Sequence, residues 1–340
     1  LIPNMFFEDL GFRYLGPIDG NDIEKIEEIL KMSKKLQGPV LVHIVTKKGK
    51  GYKYAEQNPD KYHGISSFDI ETGKAKKPKQ DDYSKIFGEK LVNIAKNNEK
   101  IVAITAAMCD GTGLKKFKEE FPDRFFDVGI AEQHALGCAA GMAKQGLIPV
   151  IPIYSSFYQR GYDQVIHDIC IQKLPVIMCA DRAGIVENDG ETHQGIFDMA
   201  FFSIIPNLTI LAPKDFEELE QMLEFAVSLN APVVIRYPRG GEGKRKFENH
   251  EKIKYGKAEI IKEGTDITIV AIGKMVERAM EVSQKLEKDG IYAEVINARF
   301  LKPLDEKTII SSIKKTKNVI TIEDGILRAG LGCSVCELIV

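Results

Sequence analysis

Helix-patterned and strand-patterned segments alternate along most of this 340-residue chain, and that alternation restricts the fold more than any single residue does. Between residues 83 and 243, helical patterns at 83–97, 130–145, 158–170 and 215–229 alternate with apolar runs at 101–106, 148–153, 175–180 and 232–237. Strands buried on both faces read as continuous apolar runs. They need crossover helices, so a parallel sheet covered by helices is expected. The pattern resumes further on, with strands near 267–272, 292–296 and 318–323 and helices at 275–289 and 305–315. An earlier helix at 22–37, opened by Asp22, precedes a buried-type strand at 39–46. It reads as the last helix–strand unit of another α/β domain. Polar tracts at 53–82 and 244–255 read as linkers. The expected organisation is therefore 1–52, linker 53–82, 83–243, linker 244–255 and 256–340.

Composition narrows the function classes. A formal net charge of −2 gives no basic surface for nucleic acid. No apolar run approaches the roughly 18 residues that suggest a membrane span. With no secretory signal visible and six cysteines scattered as free thiols, a reducing, cytoplasmic setting is expected. Cys333 and Cys336 have CxxC spacing but no second ligand pair, so packing is the better reading. The chain opens without Met and stops inside an apparent helix, which reads as a portion of a longer enzyme.

The run from Asp127 to Ala143 carries the sharpest chemistry. Glu132 lies at the mouth of a helix whose later positions are Ala, Gly, Cys and Met. Small residues let a helix approach a backbone or a flat ligand. The carboxylate is then expected in a poorly hydrated crevice, where it acts as a proton partner. Thiamine diphosphate enzymes use a buried Glu against the aminopyrimidine of their cofactor, and the cofactor does the carbanion chemistry. A helix-start Glu favoured by the macrodipole is the plainer alternative. Other polar clusters follow strand ends, where open α/β sheets bind ligands. They are Tyr154 to Arg160, Asp181 to His193 and Arg236 to Arg239.

These runs, with Leu10 to Gly20, Thr46 to Tyr52, Asp189 to Gly195 and Ile235 to Gly240, closely resemble the 1-deoxy-D-xylulose-5-phosphate synthase family of transketolase-like enzymes. The resemblance covers essentially the whole chain. It implies a transketolase-like thiamine diphosphate-binding α/β fold followed by a truncated transketolase C-terminal domain, with residues 1–52 as the end of the diphosphate-binding domain. The implied reaction condenses pyruvate with D-glyceraldehyde 3-phosphate, giving 1-deoxy-D-xylulose 5-phosphate and CO₂ for isoprenoid and thiamine synthesis. It implies Glu132 as cofactor activator, Ile130 wedged beneath the cofactor rings, Phe157 stacked on the pyrimidine and Tyr52 in contact with the cofactor. Arg182, Arg239 and Tyr154 would hold the acceptor phosphate, as guanidinium forks suit phosphate oxygens. Arg160 either joins them or pairs with Asp163 at i+3. His193, with Asp189 beside it, and His63 would contact substrate and carry protons. A homodimer is implied.

One departure stands out. The family holds the diphosphate through Mg²⁺ with a Gly-Asp-Gly followed roughly thirty residues later by an Asn. No such motif occurs here, so the Mg²⁺ ligands are not in this chain and it has no metal site of its own. Transketolase proper, the beta subunit of a 2-oxo acid dehydrogenase and a non-catalytic binding protein are the competing readings. This chain alone is expected to be inactive.

Overall fold

The computed structural model describes residues 5–59, 61–65, 67–76, 81–187, 189–248 and 251–340. Parts of both expected linkers (60, 66, 77–80, 249 and 250) and residues 1–4 of the first expected domain lie outside the described residues. The chain divides into two compact units, Leu1–Lys79 and Gln80–Val340.

The first unit is built on a parallel strand pair, β1 (Arg13–Asp19) and β2 (Val40–Val45), joined through the helix Ile23–Ser33. Asp22 caps that helix by accepting from the Lys25 N–H at 3.1 Å. The tract after β2 is more than a tether. Tyr52, Tyr54, Tyr62 and Phe68 form a small aromatic cluster with ring centroids 5.3–5.8 Å apart. Its four rings are interspersed among Lys, Asp and Gly, which is why the composition of 53–82 reads as linker.

The second unit carries two sheets. Strands β3 (Ile101–Thr105), β4 (Phe125–Asp127), β5 (Ile148–Tyr154), β6 (Ile177–Asp181), β7 (Thr209–Leu211) and β8 (Val233–Tyr237) are all parallel. Strands β9 (Glu259–Lys262), β10 (Ile267–Ala271), β11 (Ala293–Asn297) and β13 (Val319–Ile322) form a second sheet in the order 13-10-11-9. Strand β12 (Phe300–Lys302), between β11 and β13 in the chain, leaves that sheet. It pairs antiparallel with β7, completing a seven-stranded sheet of order 12-7-8-6-5-3-4. The stretch expected to form the C-terminal domain, 256–340, thus contributes a strand to its neighbour's sheet.

The seven-stranded sheet is buried on both faces, and the period-two alternation of its strands shows how. Val150, Ile177, Cys179, Val233 and Ile235 pack on one side with the helices Tyr83–Asn97 and Phe216–Leu229. Ile151, Ile153, Met178, Ala180 and Val234 pack on the other with the helix Glu132–Lys144. The second core also takes in Val270, Ile272, Leu301, Ile309 and Val335, so residues of both sheets share it.

The segment expected as a helix over 158–170 differs. It is a tight 3₁₀ coil at Ser155–Gly161, one α turn at Tyr162–Gln164, then a π-helix at Val165–Cys170. Close packing accounts for the first part. A Cβ built on Gly161 would lie 2.3 Å from Leu136 Cδ1, so the coil lies directly against the helix Glu132–Lys144. Among the described residues no helix is long and apolar enough to cross a membrane. All six cysteines are free, with Cys170 and Cys179 buried and Cys336 exposed.

Candidate active site

Parallel strands put their carboxyl ends on one edge of the sheet, and the chain's polar loops leave from that edge. Register sets Tyr154 beside Asp181 and Asp181 beside Tyr237, while Asp127 pairs with Thr105. The strand order reverses around β3, since β4 follows it to one side and β5 to the other. A crevice beyond strand ends at such a reversal is where doubly wound sheets take ligands.

Glu132 is the first residue of the helix Glu132–Lys144 and is 2% exposed. Ala135, Ala139, Ala140 and Ala143 are buried along the same helix, so small side chains let it settle onto the sheet. At this position the carboxylate meets the positive end of the helix macrodipole. Its Oε2 also accepts from Arg160 Nη1 at 2.9 Å, and Arg160 is half exposed. Arg160 therefore lies over the buried Glu132, a partner neither of its expected roles named. Two residues before Glu132, Ile130 is 77% exposed in this chain.

The coil after β5 carries the aromatic part. Phe157 lies 5.9 Å from the Tyr154 ring and 5.1 Å edge-on from the His193 ring. His193 Nδ1 is 2.9 Å from Thr192 Oγ1. Burial pushes the Tyr154 phenol up, so it stays a neutral hydroxyl. A Cβ on Gly111 would fall 1.9 Å from that hydroxyl oxygen, so the contact requires glycine there.

Arg182 stacks its guanidinium 3.7 Å from the Tyr154 ring centroid. It donates Nη1 to the Gly111 carbonyl and to Asp181 Oδ1, each at 3.0 Å, and Nε to Asp189 Oδ2 at 3.3 Å. Its backbone sits at a φ of 62°, an uncommon left-handed setting for a non-glycine residue. Arg239 donates to the Glu187 carbonyl at 3.0 Å and to Asp189 Oδ1. One carboxylate, Asp189, therefore bridges both guanidiniums.

Asp181 opens the polar cluster after β6 but carries no expected role of its own, although Asp-Arg at a strand end is the available signal. It is fully buried, accepts from Ser84 Oγ at 2.7 Å and orients Arg182. Burial raises its carboxyl to about 6 despite the adjoining guanidinium. Tyr52 and His63 belong to the first unit. There the Tyr52 hydroxyl donates to the Ile70 carbonyl at 2.9 Å, and His63 is exposed. The structure thus gathers Tyr154, Phe157, Arg182, Asp189, His193 and Arg239, with Glu132 and Arg160 joined to them through the coil Ser155–Gly161. Among the described residues no group of three or more His, Cys, Asp or Glu is arranged to hold a metal ion.

Residues 79–242 match the model of the transketolase pyrimidine binding domain and 256–340 that of the transketolase C-terminal domain. Residues 1–46 match the 1-deoxy-D-xylulose-5-phosphate synthase model. The chain is 54% identical over 338 residues to the 1-deoxy-D-xylulose-5-phosphate synthase of Clostridium perfringens strain 13, with 99% of this chain and 55% of that protein covered. Identity to the enzyme of that name from Caldanaerobacter subterraneus is 52% over 339 residues, covering 100% and 54%. A solved split gene transketolase, described as an inactive beta4 tetramer, superposes with a TM-score of 0.69 at 33% identity, covering 76% of this chain and 84% of that one.

The chain belongs to the 1-deoxy-D-xylulose-5-phosphate synthase family of transketolase-like proteins. It spans about half the length of the curated relatives it matches. Transketolase from Campylobacter jejuni shares the fold, with a TM-score of 0.63 at 20% identity, covering 99% of this chain and 67% of that one.

Proposed function

We propose that this chain forms the pyrimidine side of a thiamine diphosphate site and the acceptor pocket of a 1-deoxy-D-xylulose-5-phosphate synthase. The reaction is the decarboxylative condensation of pyruvate with D-glyceraldehyde 3-phosphate. The observation that carries the reading is the Glu132 carboxylate, buried at a helix mouth, with exposed Ile130 on one side and Phe157 on the coil packed against the same helix. A flat heterocycle fits such a lip, because apolar and aromatic side chains cover its face while one carboxylate meets its polar edge.

Thiamine diphosphate, when bound, supplies the carbanion and takes up the electron pair released as pyruvate loses CO₂. Glu132 holds a proton at the pyrimidine edge, and Arg160 keeps its carboxylate oriented. Arg182 and Arg239 take the acceptor phosphate, each exchanging its contact with Asp189 for a phosphate oxygen. Tyr154 donates its hydroxyl to the same anion. Binding energy from that remote phosphate then orients the aldehyde. His193, held edge-on by Phe157, moves the proton at the acceptor oxygen. Tyr52 and His63 are assigned to the cofactor and to proton transfer respectively. Among the described residues no His, Cys, Asp and Glu group fits Mg²⁺, so its ligands are assigned outside this chain, and the assembly is a homodimer.

Two measurements test the reading. Titration calorimetry of the 340-residue chain with thiamine diphosphate and Mg²⁺ should show no tight, Mg²⁺-dependent binding; tight binding would refute the placement of the metal ligands. In a polypeptide extended to the relatives' length, Glu132→Gln should slow exchange of the thiazolium proton by at least about a hundredfold. Exchange at the unaltered rate removes Glu132 from its role.

A further inference from the structure

The loop bearing Asp189 and His193 leaves β6 and returns at the helix Asp198–Ser203. Its stem is closed by Gly184 and Gly195, each donating its N–H to the other's carbonyl at 2.9 Å. Beneath the stem lies a buried charge set that the proposed chemistry does not use. Arg236, on β8, donates Nε to Asp198 Oδ2 at 3.0 Å and Nη1 to Asp324 Oδ1 at 2.9 Å. Asp324 belongs to the other sheet's side, following β13. All three side chains are buried, and among the described residues Arg236 Nη2 has no hydrogen-bond partner.

Asp324 also touches the stem itself. A Cβ on Gly184 would lie 2.0 Å from Asp324 Oδ2, so the carboxylate sits against the loop's backbone where only glycine leaves room. Two residues on, the Ile326 N–H donates to the Ile196 carbonyl at 3.2 Å. Lys274 Nζ, 3.6 Å from Asp324 Oδ2, reaches the Ile185 carbonyl at 3.4 Å. Two cations and two carboxylates thus balance, and the contacts run from the four-stranded region into both arms of the loop.

We propose that Asp324 is a positioning residue for the loop carrying Asp189 and His193, so that the four-stranded region determines how the acceptor is held. Removing its charge leaves Arg236 buried against one carboxylate instead of two. Arg236 stays paired with Asp198, but Lys274 loses its carboxylate and with it the hold on the Ile185 carbonyl, and the stem is the nearest element able to open. The proposal rests on the acceptor reading of Asp189 and His193 given above.

Amide hydrogen exchange on the full chain, without substrate, tests the tether. Asp324→Asn keeps the shape and an acceptor for Arg236 but loses the charge. Peptides containing Asp189 and His193 should exchange about tenfold faster, while those from β5, β6 and β8 keep their rates. Unchanged loop exchange overturns the tether. Exchange rising equally in the sheet overturns it too, because the residue would then support the fold in general. In the extended polypeptide the glyceraldehyde 3-phosphate KM should rise about tenfold with the pyruvate KM unchanged. Faster loop exchange with both KM values unaltered refutes the link to the acceptor and leaves the tether standing.

Discussion

Replacing Gly161 with Ala should damage the site more than the fold. The added Cβ would sit 2.3 Å from Leu136 Cδ1, and ordinary contact needs about 3.5–4 Å, so one side must retreat by more than an ångström. Leu136 is fully buried and has little room to turn away. The coil Ser155–Gly161 is the softer partner. Overpacking of this kind costs about 1–3 kcal/mol. For a compact unit of this size, about 2 kcal/mol lowers Tm by about 4–8 °C. The same displacement carries Arg160 away from Glu132, whose bond of 2.9 Å has no slack for a shift of that size. Gly137 and Gly141, in the helix Glu132–Lys144, supply the control. A Cβ at Gly137 would meet Asp168 at 3.7 Å, and at Gly141 nothing within 4 Å. Ala at either position should stabilise by about 0.5–1 kcal/mol, because glycine is costly in a helix interior. Calorimetric melting of the three variants checks the signs. If Gly161→Ala melts with or above the parent, the coil does not rest on the helix as described.

Other expectations concern charge. Asp181 has a folded-state carboxyl raised to about 6 from 3.8, so its protonated form favours the folded chain. That stability is fully present below pH 3.8 and is lost as pH rises through 6, a swing of up to about 3 kcal/mol. Urea midpoints for Asp181→Asn should therefore fall less steeply between pH 4 and 7 than those of the parent; parallel curves would contradict it. Arg299 is buried with Lys214 against Glu218 and Glu259, at 2.8–3.2 Å. Arg299→Met leaves two carboxylates facing one cation, costing about 3–5 kcal/mol and roughly 10 °C in Tm. A melting point within a degree or two of the parent's would show that the network is dispensable. In the extended polypeptide, Arg239→Ala should raise the glyceraldehyde 3-phosphate KM at least about tenfold and leave the pyruvate KM alone. Equal changes would place that guanidinium elsewhere.

Much of the architecture is legible because its signal is local. The strands at 101–105, 148–154, 177–181 and 233–237 are mainly apolar, with charge only near the carboxyl ends of the last two, and the helices between them show regular periodicity. What is not legible is decided at long range. Strand β12 has three residues, and only its pairing with β7 makes it a strand. The part of the coil at 158–161 reads as the start of a helix until Leu136 is placed against Gly161. Dispersed aromatics conceal the cluster around Tyr52, because no window of the sequence contains enough of them.

The site divides the same way, and the division has a physical cause. Residues proposed to meet a ligand lie at or just beyond strand ends or at a helix start, so Glu132, Tyr154, Arg182 and His193 are within reach of a sequence reading. Residues that hold those side chains meet only other protein groups. Asp181, Asp198, Arg236 and Asp324 come from β6, the start of a helix, β8 and the turn after β13, and their pairing depends on the completed sheets. A buried carboxylate announces itself only when its cation is known to be 3 Å away. Here two such carboxylates, Asp198 and Asp324, share one guanidinium across the two sheets. The cleft's geometry therefore depends on a region whose own sequence carries no ligand signal. Substitutions near Asp324 should accordingly alter the acceptor side of the cleft before they alter Glu132, whose side-chain partner is Arg160 and not a member of the Asp324 set.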